Sequence, residues 1–286
     1  MDAGAFRANL RRWLAGPVDG IVVAGSTGEA PLLDEIEVLR LVEWTREAAG
    51  GSRLVVAGAG LESTRGTVRM CREVARKGAD AVLVRPPAYY AAHQDREAIR
   101  THFLRVAGGS PVPVILYHIP KYVPVELDPD LVAELTRHEN VVGIKDSAGE
   151  IRRLGALVEA CGDRASVLTG SGSLLYGGLE VGASGGVVAV GLLATRACGE
   201  LLEAWRADDD ARAGALQERI GSLNRAVVGK LGVPGVKAAL DRLGMEGGPV
   251  RGPLRDLDRS GRDRVQRALE GADAIDGPAG PPPAPG

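Results

Sequence analysis

Residues Arg53–Arg85 read RLVVAGAGLESTRGTVRMCREVARKGADAVLVR, and this stretch decides the fold class. It opens on a short β-branched run (Arg53–Gly58) and closes on another (Ala81–Arg85). Between them lies a helix signal: Ser63 or Thr64 as cap, Met70 and Val74 one turn apart, then Lys77 and Gly78 as the stop. Both runs are apolar without polar alternation, the pattern of strands covered on both faces in a parallel sheet.

The same unit recurs outward in both directions. Further strand candidates are Gly20–Ala24, Val112–Tyr117, Val141–Lys145, Ser166–Thr169 and Gly186–Val190, which makes seven with the two above. Asp34 and Glu37 have capping-box spacing ahead of Ile36, Leu39 and Val42, and Asp128-Pro129 starts another helix carrying Leu131 and Leu135. Alternating strands and helices leave an open doubly wound sheet or a closed (β/α)8 barrel, and the even strand-to-strand repeat favours the barrel. A helix at Ala5–Leu14 stands before the first visible strand, so the eighth strand of a full barrel is expected upstream of Met1. From Leu192 the strand signal gives way to helices at Ala197–Ala207, Ala211–Val228, Val236–Leu243 and Gly261–Leu269. The expected organisation is a barrel over 1–191, a helical C-terminal extension over 192–272, and a disordered Pro/Gly tail over 273–286.

Composition narrows the function classes. Of 286 residues 45% are apolar and 25% charged, and 35 basic residues nearly balance 37 acidic ones for a net charge of −2. With no block of like charge, neither nucleic acid nor an anionic membrane is an expected partner. Apolar runs fall short of the roughly 18 residues a spanning helix needs, and the arginine-interleaved N-terminus does not read as a secretory signal. Cys71, Cys161 and Cys198 form no framework, which suits a reducing cytoplasm.

In a barrel the chemistry gathers at the C-terminal ends of the strands. Lys145 closes an otherwise apolar strand in a chain with only five lysines against thirty arginines. A desolvated lysine is held as the neutral amine and can attack a carbonyl carbon to form a Schiff base; a strand-end lysine can equally reach solvent or pair with Asp146. Tyr117 ends the preceding strand, within reach of such an imine as a proton shuttle, or else simply caps the core. The turn Gly25-Ser26-Thr27-Gly28-Glu29 can converge amide and hydroxyl donors on a small anion, or can be a plain βα turn. Gly58-Ala-Gly60 and Gly170-Ser-Gly172 fail the dinucleotide pattern. His93, His102, His118 and His138 lack metal spacing and read as surface or loop residues, so no metal is expected.

Four segments carry a resemblance. GSTGE (Gly25–Glu29), PPAYY (Pro86–Tyr90), LYHIP (Leu116–Pro120) and GIKDSAGE (Gly143–Glu150) resemble, in order, the motif set of the dihydrodipicolinate synthase and N-acetylneuraminate lyase superfamily. The likeness extends from about Val18 to Leu257. It implies a pyruvate-dependent class I aldolase on a (β/α)8 TIM barrel, a carbon–carbon lyase that uses no cofactor beyond the covalent Schiff base. By the same resemblance Lys145 is the Schiff-base lysine, Tyr117 the proton relay, and Ser26 a further member of that relay. Ser26 and Thr27, with Gly28, would bind the pyruvyl carboxylate, and Gly186 and Val188 would line the pocket with backbone. Tyr90 would complete the relay of a neighbouring subunit, which implies a homodimer or homotetramer. The partners implied are pyruvate and an aldehyde.

Where the synthases carry an arginine for the aldehyde's carboxylate, five residues after the relay tyrosine, this chain has Tyr122. AGAGLEST, SPVPVILY, GVPGVKAALDRLG and GGPVRGPL instead resemble 4-hydroxy-2-oxoglutarate aldolases, which release pyruvate and glyoxylate. The expectation is therefore cleavage or formation of a 4-hydroxy-2-oxo acid, with 4-hydroxy-tetrahydrodipicolinate synthase as the alternative and a non-catalytic 2-oxo acid binder as the rival of another class.

Overall fold

The structure, a computed structural model, describes residues 1–272; the expected Pro/Gly tail lies outside the described residues. The chain runs α1 (Ala3–Leu14), β1 (Gly20–Val23), α2 (Glu35–Ala49), β2 (Leu54–Gly58), α3 (Thr64–Arg76), β3 (Ala81–Val84), α4 (Arg96–Gly109), β4 (Val114–His118) and α5 (Pro129–Leu135). It continues with β5 (Val141–Asp146), α6 (Ile151–Cys161), β6 (Ser166–Thr169), α7 (Leu175–Glu180), β7 (Gly185–Gly186), α8 (Thr195–Arg206), α9 (Asp210–Leu223), α10 (Lys230–Arg242) and α11 (Arg259–Gly271). The strands form one sheet of seven in sequence order, every neighbouring pair parallel, with the helices layered outside it. This is a TIM-barrel architecture followed by C-terminal helices. Among the described residues no ladder joins β1 to β7.

The start signals work as the sequence suggests. Ser63 Oγ accepts from Gly66 N at 3.0 Å, Asp128 Oδ1 from Leu131 N at 2.9 Å, and the Glu37 carboxylate accepts from Asp34 N at 3.0 Å. Two expected elements differ. The strand at Gly186–Val190 shrinks to Gly185–Gly186, because after one more ladder bond (Val187 N to Thr169 O, 2.8 Å) the chain turns into a 3-10 helix at Ala189–Leu192 and buries Val190. The long helix expected over Ala211–Val228 changes to a π-turn at Asn224–Gly229, and Gly232 (φ +61°) breaks the backbone before Pro234.

Two apolar clusters hold the molecule together. One fills the sheet and its helices, around Val55, Phe103, Leu116 and Ile144. The other joins α7 to α11 and takes Leu10 and Trp13 from α1. The first helix is thus pinned to the C-terminal part: Trp13 Nε1 donates to Leu192 O at 3.0 Å, and Asn9 Nδ2 donates to Glu246 O at 2.7 Å. No helix among the described residues is long and apolar enough to cross a membrane.

Candidate active site

The register of β4 against β5 builds the centre of the site. Val114 pairs with Val141 but Ile115 pairs with Gly143, so Val142 is bulged out of the ladder. That one-residue offset sets Lys145 opposite Tyr117 and Asp146 opposite His118. Successive strand residues point to opposite faces, so the first pair and the second pair sit back to back.

Lys145 is 8% exposed; its Nζ donates to the Tyr117 hydroxyl at 3.3 Å and lies 4.3 Å from the centre of that ring. Desolvation of the ammonium pulls the lysine down to about 8. Burial raises Tyr117 above its ordinary value, opposed by hydrogen bonds from Ser26 and Ser147. The Ser26 hydroxyl lies 3.3 Å from the Tyr117 hydroxyl, so three of the expected residues come together as lysine, phenol and serine. The alternative in which Lys145 pairs with Asp146 is not realised: Asp146 Oδ2 receives His118 Nδ1 and Arg153 Nε, each at 2.7 Å.

The turn that presents Ser26 is tightly made. Ala24 (φ +52°) and Glu29 (φ +58°) both take the left-handed region that favours glycine, and Glu29 N and Ala30 N close the turn on Ser26 O and Gly25 O. Among the described residues no protein group accepts from the amides of Ser26, Thr27 or Gly28, which leaves three donors in a row beside the lysine's end of the barrel. Two glycines make room. A Cβ at Gly58 would stand 2.0 Å from Ala24 O, and one at Gly170 would stand 1.9 Å from Ser147 Oγ. Gly186 lies at the same level: it pairs with Thr169, which pairs with Asp146, and Val188 follows just beyond.

Tyr90 is not brought to this centre within the chain. It is 65% exposed, stacked edge-to-face on Tyr89 with ring centres 4.9 Å apart. Its loop is fixed by Glu62, whose carboxylate accepts from Ala88 N and Tyr89 N at 2.9 Å each.

Several groups were missed by reading the chain alone. Two of the four histidines are not surface or loop residues. His118 ends β4 and is buried against Asp146. His102 is buried in α4 with its Nδ1 2.9 Å from Thr64 Oγ1, and burial followed by nearby Arg85 lowers it to about 4. Ser147, directly after Asp146, lies close enough to the phenol that its hydroxyl opposes the rise in Tyr117. Glu29, last residue of the GSTGE turn, is buried; it pairs with Lys237 Nζ at 2.8 Å and accepts from Arg251 N at 2.8 Å. Arg251 in turn reaches Leu32 O and Glu37, so α10 and the segment after it strap the turn that carries Ser26. Among the described residues no group of three or more His, Cys, Asp or Glu side chains is placed to hold a metal ion.

The chain is similar to known proteins along its length. A sequence profile described as the dihydrodipicolinate synthetase family matches residues 1–272. The chain is 35% identical to a 4-hydroxy-tetrahydrodipicolinate synthase of Methanoculleus marisnigri over 94% of this chain and 92% of that protein. It is 36% identical to 4-hydroxy-tetrahydrodipicolinate synthase 1 of Streptomyces coelicolor over 91% of this chain and 84% of that one. Among solved structures, the chloride-inhibited dihydrodipicolinate synthase of Acinetobacter baumannii complexed with pyruvate superposes with a TM-score of 0.91 at 27% identity, covering 96% of this chain and 94% of that one.

Proposed function

The chain belongs to the dihydrodipicolinate synthetase family, and within it we propose a pyruvate-dependent class I aldolase whose nucleophile is Lys145. One observation carries the assignment: a buried lysine, lowered to about 8 by desolvation, touches a phenol that touches a serine, at the barrel's C-terminal rim. At neutral pH a lysine of about 8 is unprotonated in roughly one molecule in ten, against about one in three thousand for an ordinary lysine.

The neutral amine of Lys145 attacks C2 of pyruvate, while the amides of Ser26, Thr27 and Gly28 receive the carboxylate. Tyr117, kept as the phenol by burial, gives a proton to the carbonyl oxygen and recovers one from the nitrogen; a second proton lets that oxygen leave as water. The protonated imine withdraws electrons from C3, which loses a proton to give the enamine. Enamine C3 then attacks the aldehyde carbon, the new alkoxide takes a proton, and water returns to release the lysine. Cleavage is the same path reversed. A protonated imine does the work of a Lewis acid, so the path calls for no metal or further cofactor. Gly186 and Val188 would line the pyruvyl side with backbone. Tyr90, on an exposed aromatic pair, would extend the relay into a neighbouring subunit of a homodimer or homotetramer.

For the aldehyde, the names of the relatives support the synthase over the 4-hydroxy-2-oxoglutarate branch: the product they are named for contains pyruvate and a four-carbon amino-acid aldehyde. Tyr122 favours the second branch, because a half-exposed phenol under Lys121 offers no bidentate fork for a carboxylate. Borohydride added with pyruvate is expected to fix one reduced pyruvyl group on Lys145, located by peptide mass spectrometry, and none on Lys145→Ala. An adduct elsewhere, or none, overturns the assignment. Pyruvate consumption with the amino-acid aldehyde against glyoxylate then separates the two branches.

A further inference from the structure

On the outer face of the same two strand ends lies a buried charged cluster that the chemistry above does not use. The Asp146 carboxylate takes three donors: His118 Nδ1 and Arg153 Nε at 2.7 Å, and Ala148 N at 3.0 Å. Arg153, from α6, also donates to Leu127 O at 2.6 Å and to Glu126, so its fork ties β5 to the segment between β4 and α5. His118 Nε2 lies 3.3 Å from Glu126 Oε2 but off the line of a hydrogen bond. The side chains of His118 and Asp146 are each 2% exposed.

A buried ionic group of this kind adds little net stability over apolar residues of the same volume, so its worth lies in the geometry it enforces. That geometry is the separation of β4 from β5 at the level of the reacting pair. Both contacts of the Tyr117 hydroxyl, to Lys145 and to Ser26, are 3.3 Å, the long end of hydrogen bonding. A site so placed tolerates about half an ångström of error before a proton no longer passes. The His118–Asp146 bond joins the residues directly after that pair, across the same rung of the ladder. Because a carboxylate only accepts, the bond fixes the Nδ1 proton and with it the orientation of the ring.

We propose that His118, held by Asp146, is a positioning residue that keeps the Tyr117 hydroxyl in register with Lys145, and that Arg153 and Glu126 extend this hold to the segment between β4 and α5. The inference rests on the aldolase assignment of Lys145.

The test uses the full chain and pyruvate alone. Enamine formation exchanges the methyl protons of pyruvate with D2O, which proton NMR follows without any aldehyde. Trapping with borohydride counts the competent sites, so that an unfolded fraction does not register as a slow enzyme. Per trapped site, His118→Phe, which keeps a ring but loses the donor, is expected to lower kcat for exchange by about tenfold or more with the KM for pyruvate within about twofold. His118→Asn, whose Nδ2 can replace Nδ1, is expected to recover to within about threefold of wild type. Asp146→Asn, read the same way, covers the case in which His118→Phe does not fold, and is expected to lose kcat as well. Wild-type kcat per trapped site in His118→Phe or Asp146→Asn overturns the proposal. So does an Asn variant as slow as Phe, with rates that simply follow melting temperature. Absence of the Lys145 adduct in wild type itself overturns the aldolase assignment instead, and appears in that arm alone.

Discussion

Two pairs of side chains leave the ends of β4 and β5 one residue apart, on opposite faces of the sheet, and they meet opposite electrostatic problems. Lys145 is 8% exposed and Asp146 is 3% exposed, so burial hardly distinguishes them. Their partners do. Lys145 faces a phenol with no counter-charge, and desolvation drives it toward the neutral amine. For Asp146 burial alone would favour the neutral acid, but the hydrogen bonds from His118 and Arg153 outweigh it and hold the carboxyl below its ordinary value. A buried charge is therefore suppressed or secured by what stands beside it, and this barrel does both within two residues.

Four perturbations probe that contrast. The largest effect is expected from Lys145→Met, which should remove Schiff-base turnover by at least about four orders of magnitude, measured as pyruvate proton exchange. The same variant should be more stable at neutral pH, by roughly 1–3 kcal/mol, because it relieves a desolvated ammonium. The sign follows from proton counts: between about 8 and 10.5 the unfolded lysine holds more protons than the folded one, so wild-type stability rises with pH across that window. Denaturant melts at pH 7 and pH 10 should show the rise flattened in the variant; an unchanged rise would assign it to another group. Next, Tyr117→Phe should slow exchange by about 10²–10³ while the lysine still traps pyruvate. A loss confined to KM would mean that the phenol only binds.

The outer pair should respond in stability. Asp146→Ala leaves His118 and Arg153 without their shared acceptor and should cost about 3 kcal/mol in urea unfolding at pH 7. In wild type the contribution of this carboxylate is fully present above the ordinary carboxylate range and is lost as pH falls through its lowered folded value. The smallest expected effect belongs to His102, a buried histidine whose hydrogen-bond partner among the described residues is Thr64. Its folded value of about 4 lies below the ordinary 6.5, so the unfolded chain takes up protons first and stability declines as pH falls between them. The decline should reach about 1–2 kcal/mol by pH 5, and His102→Gln should abolish it in circular-dichroism melts.

Much of this was legible in the chain. The first six strands stood out because strands covered on both faces are apolar throughout, and helix starts such as Asp34, Ser63 and Asp128 depend on residues only three apart. Lys145 and Tyr117 were legible as neighbours because both close adjacent strands, where barrel chemistry collects. The bulge at Val142 could not, since register is set by tertiary packing rather than by local pattern. The His118–Asp146 bond spans 28 residues and depends on that register, so a histidine with no metal-ligand spacing reads as a surface or loop residue from sequence alone. The role proposed for Tyr90 rests on the family resemblance, because an exposed tyrosine carries no local sign of a task.

The strap on Glu29 bears on how the molecule comes apart. Lys237 and the Arg251 amide satisfy a buried carboxylate in the very turn that offers Ser26, Thr27 and Gly28. Fraying that begins in the C-terminal helices would strip this anion of its counterparts and draw water in beside the turn proposed to hold the carboxylate. Heat damage, proteolytic nicking or truncation at the far end of the chain should therefore silence catalysis while most of the barrel still stands.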